Sequence, residues 1–508
     1  MTGIDAPPLK GLTLALAGFA IALTNFSVVL DLTITNVAVP HIAGGLAVSP
    51  TQGTWTVTSY AVAEGICLPL TGWLTMRYGL VRTYLVALVS FGLFSMLCGF
   101  AQTLEWLVVG RVLQGFAGAP LLPASQTLIL RVFPEEKRGM AMGLWAMTTI
   151  CAPILGPILG GYLSDNWSWP WIFLINVPVI AVCFLVLSQL IMSFDTPPER
   201  QPIDVIGLIL LIITVASFQI MIDTGQDADW FNSSTIIVLA LTAAIGAVAF
   251  VIWELNDPHP VVDLRIFRFT GFRYVTIAFA LSYGVFFASI VLAPLWLQRD
   301  IGYTASEAGY AMCFTGVMGV MMAPLSARLM GKIDLRISVS MAILWIGFIG
   351  IVRSFWTSDD GFWTYATPQL LQGLAIPFYF MGLSTLSISA VPPHLVTSAV
   401  GLTAFFRTLG GAIATTMAIA MWDVEGRVSR SELIAGLNDP QGMATKIQGA
   451  GLSNVQANGV IERLIDVQAS TLAMTHIFLY GACLSIVAAA VVWLIPKAPS
   501  SPGMVVGH

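Results

Sequence analysis

The chain has 508 residues, of which 57% are hydrophobic and only 10% charged, with a net charge of −5. A soluble globular protein carries about a quarter charged residues, and no soluble interior can hold so many apolar runs of ~20 residues. The bilayer is the solvent that permits this composition. The mild, dispersed negative charge excludes a nucleic-acid-binding block. The six cysteines lie in apolar runs without metal-ligand spacing and read as small core residues.

Apolar segments of spanning length follow one another from the N-terminus. The first six are expected at about 12–37, 54–75, 83–101, 106–131, 140–163 and 171–193, and the next two at 204–223 and 234–254. Six more fall at about 273–297, 304–330, 337–355, 363–390, 396–422 and 471–494. The first segment is too long for a signal peptide and lacks a cleavage site, so it reads as a span. Basic residues set the orientation. With a cytoplasmic N-terminus, Arg77, Arg82, Lys137, Arg138, Arg200, Arg265, Arg268, Arg328, Lys332 and Arg336 are cytoplasmic, whereas the short outer loops hold Arg299 and Arg353. The even count returns the C-terminus to the cytoplasm. The polar loop 423–470 reads as a solvated linker or a docking surface, and Asn454 to Gln468 as a possible helix leading into the last span.

An internal repeat is visible. Arg111-Val-Leu-Gln-Gly-Phe-Ala117 matches Gln369-Leu-Leu-Gln-Gly-Leu-Ala375, and Pro134 matches Pro392 at the same offset. Gly143-Leu144 matches Gly401-Leu402, and Pro69-Leu-Thr71 matches Pro324-Leu-Ser326. The expected fold is therefore all-α. It comprises a six-helix bundle over residues 1–194, a two-helix insert with linkers over 195–270, and a second six-helix bundle over 271–508 that includes the loop 423–470. Repeated halves around a midplane cavity are a transporter architecture.

Ionisable residues inside spans are costly and therefore informative. Asp31 is placed near the end of span one, close to the outer surface. Glu64 falls in mid-span two, Arg111 in span four and Arg407 in span thirteen. Low dielectric favours a protonated carboxyl, and a neighbouring guanidinium favours the ionised form. A carboxylate switched between these environments takes up and releases protons, so Asp31, Glu64 and Arg111 are the candidate proton-coupling residues. The competing reading of each is a static polar network that pins helices. Asp223, Glu254 and Glu105, at span ends, read as interfacial. In span five, Pro153, Gly156, Pro157, Gly160 and Gly161 combine helix-breaking prolines with close-packing glycines. This helix is expected to seal or flex the interface between the halves.

These segments together resemble the major facilitator superfamily, specifically its fourteen-span drug:proton antiporters of the EmrB/QacA type. Leu30-Asp-Leu-Thr-Ile-Thr-Asn-Val-Ala-Val-Pro40 is similar to the family's first-span motif, and Gly72, Arg77, Gly79 and Arg82 to the superfamily's motif between spans two and three. Arg111 to Gly118, with Gln114 and Gly115, is similar to the fourth-span motif linked to proton coupling. Ala152 to Gly161 resembles the antiporter motif, and Trp171 to Pro178 also fits. Met76 stands where the superfamily usually has an Asp that latches the inside-closed state, so the latch is expected to be weaker or to use other partners. Gln369 replaces the motif Arg in the second half, which assigns proton coupling to the N-terminal half.

Ser49 to Trp55, Ile220 to Asp223, Trp253 to Leu255 and the loop 423–470 resemble the branch of the family that works in tripartite efflux systems. That resemblance implies a pump of the inner membrane, partnered by a periplasmic adaptor of the EmrA type and an outer-membrane channel. It implies proton-driven export of hydrophobic or amphiphilic compounds, with no cofactor beyond the proton gradient. Helix position and side-chain type nominate Asn36, Gln126, Trp145, Tyr379, Phe405 and Arg407 as cavity residues. Two rivals stand beside this reading: a transporter of one metabolite, and a membrane-embedded enzyme. His41, His259, His394, His476 and His508 are dispersed without paired ligands, and no phosphate-binding glycine loop occurs.

Overall fold

The computed structural model describes residues 8–198, 202–226, 228–330, 332–392, 395–436 and 453–496. Within them the secondary structure is helical, because a chain in lipid must satisfy every backbone N–H and C=O within its own segment. Fourteen long helical passages follow in order: α1 (Gly11–Gly45), α2 (Trp55–Tyr78), α3 (Leu80–Gly99), α4 (Leu104–Val132), α5 (Glu135–Asn166), α6 (Trp171–Leu190), α7 (Val205–Gly225), α8 (Ser234–Asn256), α9 (Thr270–Arg299), α10 (Ala305–Met330), α11 (Leu335–Arg353), α12 (Phe362–Ser389), α13 (Val396–Ala435) and α14 (Asn454–Val492). Twelve of them are long and apolar enough to cross a membrane. The other two, α2 and α5, are of spanning length but less apolar, and α2 carries the buried Glu64 and several threonines. The set agrees with the fourteen spans expected from the sequence.

The helix pairings repeat with an offset of eight helices. In the first half α1 packs on α5, α2 on α4, and α3 on α6; in the second, α9 packs on α13, α10 on α12, and α11 on α14. The halves meet through α5 against α10 and α2 against α13, two contacts related by the same offset. Both α4 and α12 are interrupted just after the repeated Gln-Gly, at Ala119–Pro120 and at Leu374–Ala375. The inserted α7 and α8 pack on each other, and α7 also lies against α2. Trp253 Nε1 donates to both carboxylate oxygens of Asp204, the N-cap of α7, which ties the insert together.

The region between spans two and three explains its glycine. Gly79 has φ +93°, and a Cβ there would meet the Asp195 carboxylate at 2.6 Å. Asp195 Oδ1 accepts from Val81 N (2.8 Å), Thr196 Oγ1 accepts from Leu80 N (2.9 Å), and Arg82 pairs with Asp195 (3.2 Å). Thus a carboxylate from beyond α6 caps α3 and holds Arg82, in a motif where Met76 supplies none. On the same end of the molecule, a Cβ at Gly72 would overlap Ser398 of α13, and one at Gly401 would lie 2.9 Å from the Leu68 carbonyl. These two glycines let α2 and α13 close against each other. Arg77 lies over the rings of Trp73 and Tyr78.

Several expectations need correction. Span one runs well past residue 37, to Gly45, because Pro40 is accommodated inside the helix. Asp31 therefore sits at mid-helix and is fully buried, not near a surface. Much of the loop 423–470 is helix: α13 continues to Ala435, beyond its expected end, whereas α14 starts at Asn454, as the sequence allows, with a Ser453–Gln456 capping box. Arg430 pairs with Asp466 across them at 2.7 Å, and Tyr480 donates to Glu425. At 40 and 39 residues, these helices are about 60 Å long, twice the hydrocarbon thickness. Residues 437–452 of that loop, together with Arg200, His394, Lys497 and His508, lie outside the described residues.

Candidate functional site

Five helices of the first half deliver polar side chains to one dry point. Asp31 (α1) and Arg111 (α4) are both 0% exposed and approach to 2.5 Å. Asp31 Oδ1 also accepts from Gln114 Nε2 (2.9 Å) and Asn176 Nδ2 (2.8 Å). Ser95 of α3 accepts from both amides at 3.2 Å and donates to the Phe173 carbonyl. Arg111 spreads its fork over Asp31, Gln114 Oε1 (2.8 Å) and the Thr56 carbonyl (2.9 Å), and its guanidinium lies over Tyr60, 4.2 Å from the ring centre. Taking two charges out of water is expensive, and only near-complete pairing offsets it. Here the carboxylate is surrounded by donors, and one guanidinium nitrogen, Nη2, is left without a partner among the described residues. Gly115 allows the crossing: a Cβ there would meet the Tyr60 carbonyl at 2.6 Å.

Glu64 is in a different situation. It is 7% exposed and makes no hydrogen bond among the described residues. It lines a cavity of about 700 Å³ between α1, α2, α7, α9 and α13. Arg407 of α13 lines the same cavity, is also 7% exposed, and has no partner for Nε among the described residues. The Arg407 guanidinium rests 5.5 Å from the ring centre of Phe279 and 5.2 Å from that of Tyr283. One acid from the first half and one base from the second thus face a shared space. The cavity begins near mid-membrane and extends past Pro40 and Thr54, away from the closed Gly72–Ser398 crossing.

The nominated cavity residues divide into groups. Asn36, Phe405 and Arg407 line this cavity. Gln126 and Trp145 meet Arg407 instead at a narrow cleft of about 20 Å³, with Ser384 and Ser387 on its far side. Tyr379 lines neither; it is fully buried among Phe279, Phe286 and Phe380, with its hydroxyl accepting from Ser282. In α5, Gly156 and Gly160 abut α1 at Thr33 and Ile34, inside the first half. Gly161 faces open space, so the glycine motif packs α5 on α1, and the contact with α10 is made by residues such as Ile158. The side chains of Pro153 and Pro157 lie outside the described residues.

The sequence reading missed four contributors. Ser95 and Asn176 complete the Asp31 shell, and Gln219 and Asp223 of α7 line the cavity. The sequence reads Asp223 as interfacial because it falls near the end of a span. Its i, i+4 spacing from Gln219 was the available signal. Glu254 is buried and accepts from Val262 N at 3.2 Å, which fixes the turn after α8. Glu105 lies in the exposed first turn of α4. No group of metal-ligating side chains occurs among the described residues.

Arg111→Lys tests the Asp31 network. A lysine keeps the charge but not the planar fork that spans Asp31, Gln114 and the Thr56 carbonyl. The expected result is a stability loss of about 3 kcal/mol, read as a lower melting temperature of the detergent-purified protein. An unchanged melting temperature would show that the fork is dispensable.

A family model described as Major Facilitator Superfamily matches residues 21–415. The multidrug export protein EmrB of Escherichia coli K12 is 39% identical over 502 residues, covering 98% of this chain and 98% of that protein. EmrB of Haemophilus influenzae is 40% identical over 481 residues, covering 93% and 94% of the two chains. The fatty acid resistance protein FarB of Neisseria gonorrhoeae is 37% identical over 495 residues, covering 97% and 98%. Among solved structures, a bacterial homologue of the human lysosomal transporter Spinster superposes with a TM-score of 0.54 at 15% identity, over 96% of this chain and 98% of that one; that likeness concerns the fold alone. On the full-length identities, the family match and the two-bundle fold, the chain belongs to the major facilitator superfamily and is a multi-pass membrane transporter, not an enzyme.

Proposed function

We propose that this protein exports hydrophobic or amphiphilic compounds, drugs among them, in exchange for protons. The observation that carries the reading is the pair Glu64 and Arg407: buried, without hydrogen-bond partners among the described residues, and facing one cavity from opposite halves. Relatives named for multidrug export and fatty acid resistance support the substrate class.

The chemistry follows from charge in low dielectric. Ionised Glu64 is attracted to Arg407, across the interface that must open and close during transport. A proton on Glu64 removes that attraction, and a substrate in the cavity competes for the same space. Two ligands that bias one two-state interface are coupled, and the coupling is reciprocal. One charge moving through 100 mV releases about 2.3 kcal/mol, enough to concentrate a neutral substrate about 50-fold. Asp31 has its ligands already, so in this reading Glu64 is the carboxylate that exchanges the proton. Asp31 and Arg111 hold the first bundle rigid around it.

Reconstituted vesicles test this. Wild-type protein is expected to drive uphill substrate transport only with a proton gradient, and Glu64→Gln to retain downhill exchange while losing uphill transport. Gradient-independent accumulation would overturn antiport, and full uphill transport by Glu64→Gln would remove Glu64 from the mechanism.

We also propose that the paired ends of α13 and α14 engage a periplasmic adaptor of the EmrA type, which in turn reaches an outer-membrane channel. On this proposal the protein lies in an inner membrane with both termini cytoplasmic. The stalk is held by Arg430–Asp466 and leaves Val428, Ile434, Val455 and Leu464 exposed. Such apolar residues on a polar projection suit a protein partner. Val428→Asp with Leu464→Asp is expected to preserve vesicle transport and to abolish drug resistance in cells. Loss of both activities would assign the stalk a folding role instead.

A further inference from the structure

The two inserted helices are not needed to close either six-helix bundle. α8 turns Val238, Leu241, Ile245 and Val248 outward, as a lipid-facing helix should. α7 is different. Val215, Gln219, Ile222, Asp223 and Gln226 all line the 700 Å³ cavity. Their spacing, i, i+4, i+7, i+8 and i+11, marks one helical face. The opposite face carries the exposed Ile206 and Ile213. α7 therefore stands where α2 and α13 diverge, between the cavity and the lipid.

The wall is fastened at its polar end. Asp223 accepts from Gln219 Nε2 (2.9 Å) and engages Thr58 of α2. Gln226 donates to Asp423 of α13 at 2.8 Å and accepts from Trp230 Nε1 at 3.0 Å. The charges in the cavity do not balance. Glu64 and Arg407 offset each other, but Asp223 forms no ion pair among the described residues and is accessible from the cavity. An ionised carboxylate only accepts hydrogen bonds, and Gln219, with its amide committed to Asp223, offers its carbonyl as a further acceptor. Across the space stand Tyr283, Phe287 and Phe405. Aromatic faces attract cations as well as apolar bodies.

We propose that α7 is a wall of the substrate cavity, and that Gln219 and Asp223 form a specificity site for the ammonium end of an otherwise apolar substrate. The insert thus both closes the cavity against lipid and supplies the acceptors that read a cationic head. The unpartnered Glu64, aimed into the same space, is the independent sign that the cavity is built to be filled. The proposal rests on the export reading above, since it assigns a substrate class to the same cavity.

Equilibrium binding to the full chain in nanodiscs separates the two readings, because it needs no gradient. The probes are a hydrophobic dye bearing a primary ammonium group and its uncharged N-acetyl analogue. Asp223→Asn is expected to weaken binding of the ammonium dye at least tenfold and to leave the analogue within twofold, with Asp223→Glu restoring most of the loss. Gln219→Leu is expected to give a smaller loss with the same preference. An equal loss for both dyes, or unchanged binding of the ammonium dye, would overturn the proposal. Failure of the export reading would look different: selective binding would persist in wild type, with no gradient-driven movement of either dye in vesicles.

Discussion

A charge inside a bilayer must be answered by the protein itself, and this constraint shapes everything else in the molecule. Water is not available to hydrate a carboxylate at mid-membrane, so each one either gathers donors or takes a proton. Asp31 follows the first course. Arg111 and Gln114 from α4 and Asn176 from α6 converge on it. Glu64, one helix away, follows neither in full, having a cavity in front of it and an unpaired guanidinium nitrogen on Arg407 nearby. The same bundle therefore contains one finished charge site and one left open, and the open one faces the other half.

The two halves share a frame but not a chemistry. Gln114 and Gln372 occupy repeated positions, and both hydrogen-bond to a buried Arg. In the first half that Arg is Arg111 on α4, paired with Asp31. In the second half it is Arg353 at the end of α11, held by Gln369 and Gln372 and by the rings of Trp356 and Phe478, with no acid paired to it among the described residues. The helix pairings obey the repeat because backbone packing depends on helix length and small residues. The ion pair escapes it because a single substitution, Gln369 for Arg, moves the positive charge to a neighbouring helix. The asymmetry leaves Arg407 as the base that the second half presents to the central space.

How much of this was legible in the sequence depends on range. Spanning helices follow from composition and length, which are local properties, and their number and repeat were readable from apolar runs and from Arg111–Ala117 against Gln369–Ala375. Helix ends were less so. A span is expected to stop where polarity rises, but α1 continues through Pro40, and α13 runs past the hydrocarbon to pair with the start of α14 through Arg430 and Asp466. The importance of Asp31, Glu64 and Arg111 could be read from the cost of burying charge. That Asp31 and Arg111 touch, while Glu64 stands apart, could not, because it depends on how α1, α2 and α4 are turned about their axes. The same limit hides Asp223: its place on a cavity-facing stripe of α7 is a fact of rotation, not of depth. Tyr379 shows the converse, an aromatic with the right position and type that packs into its own bundle.

The central claim is that substrate and proton compete through Glu64. The most direct measurement is proton release when substrate is added to the purified protein in weakly buffered detergent solution. By linkage, a substrate that favours ionised Glu64 must expel its proton. The account expects a stoichiometric acidification with wild type that disappears in Glu64→Gln while substrate still binds. Undiminished proton release from Glu64→Gln would contradict it and return the proton to another carboxylate.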